Sequence, residues 1–113
     1  MKVKEIIEKL ELSTLTGQEN LDAEVTGGYT SDLLSDVIAN SKEGNLWITL
    51  QIHQNIVAVA KLKDLAGIII VNNREPDEDT LKKAKEENVS ILGSGDMSFT
   101  VSGKLYGLIS SQD

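Results

Sequence analysis

The 113-residue chain has the length of one domain, and its composition excludes several classes of function. Hydrophobic residues make up 40% and charged residues 26%, which is typical of a folded globule with one core. Eleven basic and eighteen acidic residues give a net charge of −7, so neither nucleic acid nor membrane is expected as a partner. Without Cys and with a single His, the chain is expected to hold no metal and no cofactor.

The two ends of the chain carry no pattern of a targeting segment. Residues 1–5 alternate charged and apolar side chains, unlike a signal peptide. The apolar run 68–71 is far shorter than the ~20 residues of a membrane helix. We therefore expect a cytoplasmic protein with a single domain over 1–113, of which residues 110–113 form a frayed tail.

The first half of the chain predicts short elements. They are a helix over 2–10, a strand over 12–16, a polar connection over 18–22, a strand over 23–26 that Gly27-Gly28 close, and a helix capped by Ser31 or Asp32. A loop over 40–45 follows.

The second half is more regular. It predicts a strand over 46–50, a helix over 55–63, a strand over 67–71, a helix over 76–88, a strand over 89–92 and a helix over 96–109. The strand 67–71 shows no alternation, so both its faces should be buried. This β-α-β-α-β-α order predicts a small α/β domain whose mainly parallel sheet has helices on both faces, with the first half adding strands at an edge.

Polar residues follow the three parallel strands, where open α/β sheets bind ligands. The candidate ligand-binding residues are His53, Asn73, Arg74, Gly93, Ser94, Gly95 and Asp96. The Gly93-x-Gly95 turn leads into a helix whose free N–H groups can hold an anion, and Arg74 can clamp it. The alternatives are solvated loops in which His53 caps a helix, Arg74 pairs with Glu75 and Asn72-Asn73 form a left-handed turn.

A second candidate site lies where a predicted strand meets a predicted helix. Gly27, Gly28 and Thr30 stand in the segment 27–31, which is able to cradle a phosphate although it lacks the spacing and Lys of a Walker loop. The alternative is a tight turn that needs positive φ at glycine.

The helix over 55–63 predicts a homodimer. Its segment 56–60 contains no polar residue, so the helix needs cover on two sides, and a second subunit is one source of that cover. The alternative is that Ala58 and Ala60 face water.

Residues 25–108 resemble a DRTGG domain. The matching segments are 46–49, 55–62, 65–71, 75–77, 89–92 and 96–99. The motif that names the family is absent, and Asn72-Asn73 stand where glycines are expected. DRTGG domains occur beside CBS domains in some pyrophosphatases, are similar to the N-terminal domain of HPr kinase/phosphorylase, and occur free-standing in anaerobic bacteria. The resemblance implies a regulatory domain, usually dimeric and without catalysis.

Three functions follow for this chain. The first is a non-catalytic regulatory module that binds a small anionic ligand such as a nucleotide. The second is an interaction subunit that docks on a partner enzyme without a ligand of its own. A small enzyme is the least favoured, because no set of nucleophile, base and orienting residue is readable and no P-loop exists.

Overall fold

The computed structural model describes residues 1–112, and Asp113, part of the predicted frayed tail, lies outside the described residues. The elements in chain order are α1 (Val3–Leu10), β1 (Ser13–Thr16), a 3-10 turn (Gln18–Asn20), β2 (Gly27–Thr30), α2 (Leu34–Asn40), β3 (Asn45–Thr49), α3 (Asn55–Leu62), β4 (Gly67–Ile70), α4 (Glu78–Glu87), β5 (Ile91–Gly93) and α5 (Ser98–Ser110). Ser110, the first residue of that predicted tail, closes α5, and the Gln112 side chain accepts a 3.1 Å hydrogen bond from the Met1 amino group.

The five strands form one sheet in the order β1-β5-β4-β3-β2. β2, β3, β4 and β5 are parallel, and only β1 runs antiparallel, beside β5. The predicted α/β fold with a mainly parallel sheet is therefore confirmed. The first half of the chain adds a strand at each edge of the sheet rather than at one edge, because β1 and β2 flank the three strands of the second half.

Helices cover both faces of the sheet, as the sequence predicts. The strands β2 to β5 follow one another in a single direction, so the crossover helices α2, α3 and α4 share one face. The other face is covered by α1 and α5, whose Val3, Ile6 and Leu105 pack with Ile48 and Ile69 of the sheet.

The central strands form the middle of the core. All four residues of β4 are buried, which confirms the interpretation of its unbroken apolar run. Trp47 of β3 is fully buried, and its indole N–H donates a 2.8 Å hydrogen bond to the Ser31 carbonyl. The ring is thus a core residue that also fixes the segment after β2.

The prediction for residues 23–28 is wrong. The strand begins at Gly27 rather than ending there, and neither Gly27 nor Gly28 has a positive φ. The physical reason is tertiary: a Cβ on Gly28 would lie 2.7 Å from Cδ2 of Leu105, so glycine allows α5 to approach this strand. The local pattern, which favours a turn, is overridden by that packing.

The predicted starts of three helices are also too early. α2 begins at Leu34 without a side-chain cap, because the Asp32 carboxylate accepts hydrogen bonds from the Thr49 hydroxyl at 2.8 Å and the Leu50 N–H at 2.7 Å. α4 begins at Glu78 rather than at the predicted Pro76, and α5 begins at Ser98.

The apolar run of α3, which led us to predict a subunit interface there, is covered within the chain. This helix does need cover on two sides, but α2 and α4 of the same chain provide it beside the sheet. Val57 is fully buried and Val59 is 6% exposed, while Ala58 faces outward. Leu62, at the end of α3, is the one large apolar side chain of this helix that is mostly exposed.

Candidate functional site

Two loops at the carboxyl edge of the sheet are joined by backbone hydrogen bonds. The Asn72 N–H donates to the Asp96 carbonyl at 2.8 Å, and the Asn73 N–H donates to the Ser94 carbonyl at 2.9 Å. Both Asn residues adopt the left-handed conformation, with φ of 60° and 55°, as one interpretation of the Asn pair expects. The loops after β4 and β5 therefore form one connected rim.

A cavity of about 230 Å³ opens at this rim, and we call it the edge cavity. Five of the predicted residues line it: Asn73, Arg74, Gly93, Ser94 and Gly95. The remaining lining residues are Glu11, Ser13, Leu15 and Glu75.

Arg74 is the only Arg of the chain and is exposed at the edge cavity. Its Nη1 donates a 2.7 Å hydrogen bond to the Leu50 carbonyl, which ties the side chain to the end of β3. No ion pair joins Arg74 to Glu75 or to any other described carboxylate. The guanidinium is therefore held in place by a neutral acceptor while its charge stays available to a ligand.

The Gly93-x-Gly95 segment is not the helix N-terminus that the sequence predicts. Gly93 belongs to β5, where it pairs with Ser13, and α5 begins only at Ser98. The Ser94 N–H already donates to the Ile70 carbonyl at 3.0 Å, and the Asp96 N–H donates to the Ser94 hydroxyl at 3.0 Å. The polar groups of this loop mostly stabilise the rim, and Arg74 is the only cationic residue among those that line the edge cavity.

His53 and Asp96 do not line the edge cavity. The Nδ1 atom of His53 accepts a 3.1 Å hydrogen bond from the Asn55 N–H, which is the helix-capping role given as its alternative. The Asp96 carboxylate lies 3.2 Å from the Lys104 ammonium group. Both residues follow the strands as predicted, but each has its own partner within the protein.

The sequence reasoning missed the part of the edge cavity that β1 contributes. Ser13 and Leu15 of β1 reach it because β1 runs antiparallel beside β5, and Glu11 reaches it from the end of α1. The segment 12–16 is recognisable as a strand, but nothing in its own residues says which edge of the sheet it joins. Glu11 adds a second carboxylate to the site.

The secondary candidates Gly27, Gly28 and Thr30 lie at the opposite edge of the sheet. They line a larger cavity of about 420 Å³ between β2 and α5, which we call the β2–α5 cavity. Since Gly27 and Gly28 are strand residues, their backbone groups do not form a phosphate-binding loop. The Thr30 hydroxyl forms a 2.7 Å hydrogen bond with the Ser102 hydroxyl of α5.

A hydrogen-bonded pair joins Tyr29 of β2 to Asp36 of α2. The Tyr29 hydroxyl donates to the Asp36 carboxylate at 2.8 Å. Hydrogen bonds from Ser31, Tyr29 and Asn40 lower the pKa of Asp36 below its usual value. The bond to Asp36, with burial, raises the pKa of Tyr29.

Two kinds of feature are absent from residues 1–112, namely a cluster that could hold a metal ion and a helix that could span a membrane. No group of three or more His, Asp or Glu side chains is placed to hold a metal ion. No helix in this part of the chain is both long enough and apolar enough to cross a membrane.

Comparison with known proteins gives a match of structure but not of sequence. No family model matches the chain, and no curated protein shows a significant match. A solved structure of the CBS and DRTGG domains of the regulatory region of Clostridium perfringens pyrophosphatase, complexed with the activator diadenosine tetraphosphate, matches with a TM-score of 0.73 and 16% identity. The match covers 93% of this chain and 46% of that one.

This match bears on the fold. The chain spans less than half of the regulatory region, and at 16% identity the likeness does not extend to ligands or partners. It supports the DRTGG-like fold that the resemblance in the sequence implies. The resemblance to the N-terminal domain of HPr kinase/phosphorylase stays a prediction. The chain is thus a small α/β domain whose fold is shared by part of that solved structure.

Proposed function

We propose that this chain is a non-catalytic regulatory module that binds a small anionic ligand, such as a nucleotide, at the edge cavity. The observation that carries the proposal is the position of Arg74. Its guanidinium is fixed by the Leu50 carbonyl, lines a cavity and has no carboxylate partner among the described residues. A guanidinium presents a planar fork of donors that matches a phosphate or a carboxylate.

The fold supports the regulatory part of the proposal. The solved structure that shares it is the regulatory region of an enzyme and holds a nucleotide activator. That chain contains further sequence beyond the matched half, so its nucleotide guides the choice of probes for this chain but does not locate a site. The cytoplasmic location of this protein stays a prediction.

A thermal-shift titration tests the anion site. The probes are AMP, ATP, diadenosine tetraphosphate and inorganic pyrophosphate. A ligand at about 100 times its Kd stabilises the folded state by about 2.7 kcal/mol, which is a readily measured shift. The Arg74→Ala variant should lose the shift, while Lys42→Ala, which removes an exposed charge before β3, should keep it. No shift with any probe, or an equal shift in Arg74→Ala, would overturn the assignment.

A second candidate function is assembly through α5, either with a second copy or with a partner enzyme. Phe99 and Met97, at the start of this helix, are 89% and 66% exposed. The only charged residue of α5, Lys104, is paired with Asp96, so two acidic copies can meet there without facing unpaired charges. We infer a homodimer through this surface in place of α3. Sedimentation of the wild type and of Phe99→Asp tests it: a dimer that Phe99→Asp dissociates supports it, and a wild-type monomer excludes the homodimer.

A further inference from the structure

The β2–α5 cavity has the size and lining of a small-molecule site, separate from the edge cavity. Its volume of about 420 Å³ falls within the range of roughly 300 to 1,000 Å³ that is usual for ligand pockets. Ile48 and Leu105 form its inner wall and are almost fully buried from solvent. Gly27 and Gly28 line the strand side of the cavity, where Leu105 packs directly against Gly28.

The chemistry of the lining is apolar with a small polar rim. None of the lining side chains is charged, although about one residue in four of the chain is charged. The polar groups on its walls include the hydroxyls of Thr30 and Ser102, which lie 2.7 Å apart and offer both donor and acceptor sites. A charged group placed here would lose water without gaining a counter-ion, so the occupant of this cavity is neutral.

The mouth of the cavity carries an aromatic ring. Tyr106 lines the cavity from α5 and is 75% exposed, so most of its surface is open to solvent. A planar ring that enters between Tyr106 and the aliphatic wall would gain stacking and apolar burial together. Polar ring atoms would meet the two hydroxyls.

From these observations we infer that the β2–α5 cavity binds an uncharged bicyclic heteroaromatic ring, with the hydroxyls of Thr30 and Ser102 as its polar contacts. This site goes beyond the proposed anion site, shares no lining residue with the edge cavity and lies at the opposite edge of the sheet.

The test is a titration of the 15N-labelled full chain, observed through its amide resonances. Indole is the neutral probe, and indole-3-acetate is the matched probe that adds one negative charge. We expect saturable shifts with indole, at a Kd of about 1 mM or below, in the amides of Gly28, Ser102 and Tyr106. The amides of Gly93 and Gly95 should not move, and indole-3-acetate should bind at least tenfold more weakly.

Two variants of α5 locate the site. Ser102→Leu places an aliphatic side chain in the cavity and should weaken indole binding at least tenfold. Thr100→Leu, a similar change at an exposed position of the same helix, should leave it unchanged. The shift map of the wild type locates the probe even if Ser102→Leu does not fold.

Three results would overturn the inference. One is the absence of saturable shifts in the lining amides, and another is equal binding of the two probes. The third is a concentration-dependent change in the same amides without probe, together with a doubled mass, which would assign this cavity to a second copy of the chain. Failure of the anion titration would leave the indole result unaffected, because the anion site is read from a thermal shift and the indole site from the amides of its own lining.

Discussion

Gly28 and Leu105 pack so closely that a Cβ on residue 28 would lie 2.7 Å from Cδ2 of Leu105. Leu105 is only 2% exposed, and a Cβ at position 28 would force this buried side chain away from its present position. We therefore expect Gly28→Ala to destabilise the protein by about 1 to 3 kcal/mol through overpacking. Urea denaturation followed by the fluorescence of Trp47 measures the change.

The matched control for this substitution is Gly103→Ala on α5. Nothing lies within 4 Å of a Cβ at position 103, and alanine is the better helix former. Gly103→Ala should raise the free energy of unfolding by about 0.5 to 1 kcal/mol. If both substitutions changed the free energy of unfolding in the same direction, the close approach of Leu105 would not be the reason for glycine at position 28.

The contrast between these two glycines shows why the sequence predicts part of this fold and not the rest. β4 is predictable because its apolar run needs burial on both faces, whatever surrounds it. β2 is not, because Gly27-Gly28 are locally typical of a turn and become a strand only through the approach of α5. Tertiary contact of this kind leaves no periodic signal in the chain.

The candidate site divides in the same way. The residues that follow β4 and β5 were predictable, because parallel strands bring their carboxyl ends to one edge. Whether a polar side chain there faces a cavity or a partner within the protein depends on three-dimensional contacts. Arg74 faces the edge cavity, whereas Asp96 meets Lys104, although both residues lie shortly after a parallel strand.

The α3 helix should respond to charge as a core element and not as a subunit interface. Val57→Asp places a carboxylate at a fully buried position without a partner, so we expect a loss of at least ~3 kcal/mol in unfolding free energy. Ala58→Asp, one residue along and exposed, should change it by less than ~0.5 kcal/mol. A folded, stable Val57→Asp protein with an altered sedimentation coefficient would contradict this assignment.

The Tyr29–Asp36 pair should make stability depend on acid. The folded-state pKa of Asp36 lies below the usual value for Asp, which is about 4. The stability that this carboxylate contributes is therefore fully present above pH ~4 and is lost as the pH falls through the folded-state pKa. The stability difference between wild type and Asp36→Asn should therefore be larger at neutral pH than at the acid end. Denaturation series at several pH values measure it.

The same pair offers a conservative variant. Tyr29→Phe keeps the ring and removes one of the hydrogen bonds that lower the pKa of Asp36, so part of the acid dependence should disappear. Tyr106→Phe removes an exposed hydroxyl from α5 and serves as the matched control. A full acid dependence retained in Tyr29→Phe would assign the effect to Ser31 and Asn40 alone.

We expect the carboxylates that line the edge cavity to oppose the binding of an anion there. Glu75 lines the cavity beside Arg74 without pairing with it, so its charge repels an incoming phosphate. Glu75→Gln removes one negative charge while keeping the shape of the side chain. It should tighten the binding of inorganic pyrophosphate by roughly threefold, which is the size of a Coulomb repulsion acting over several ångströms in a solvated site. The gain should shrink at high salt, because the screening length at 0.15 M is about 8 Å.

Glu43→Gln, at an exposed position before β3, changes the net charge equally and should leave the affinity nearly unchanged. Calorimetric titrations of the wild type and both variants at two salt concentrations measure these differences, and equal gains in the two variants would mean that net charge, rather than the edge cavity, governs binding.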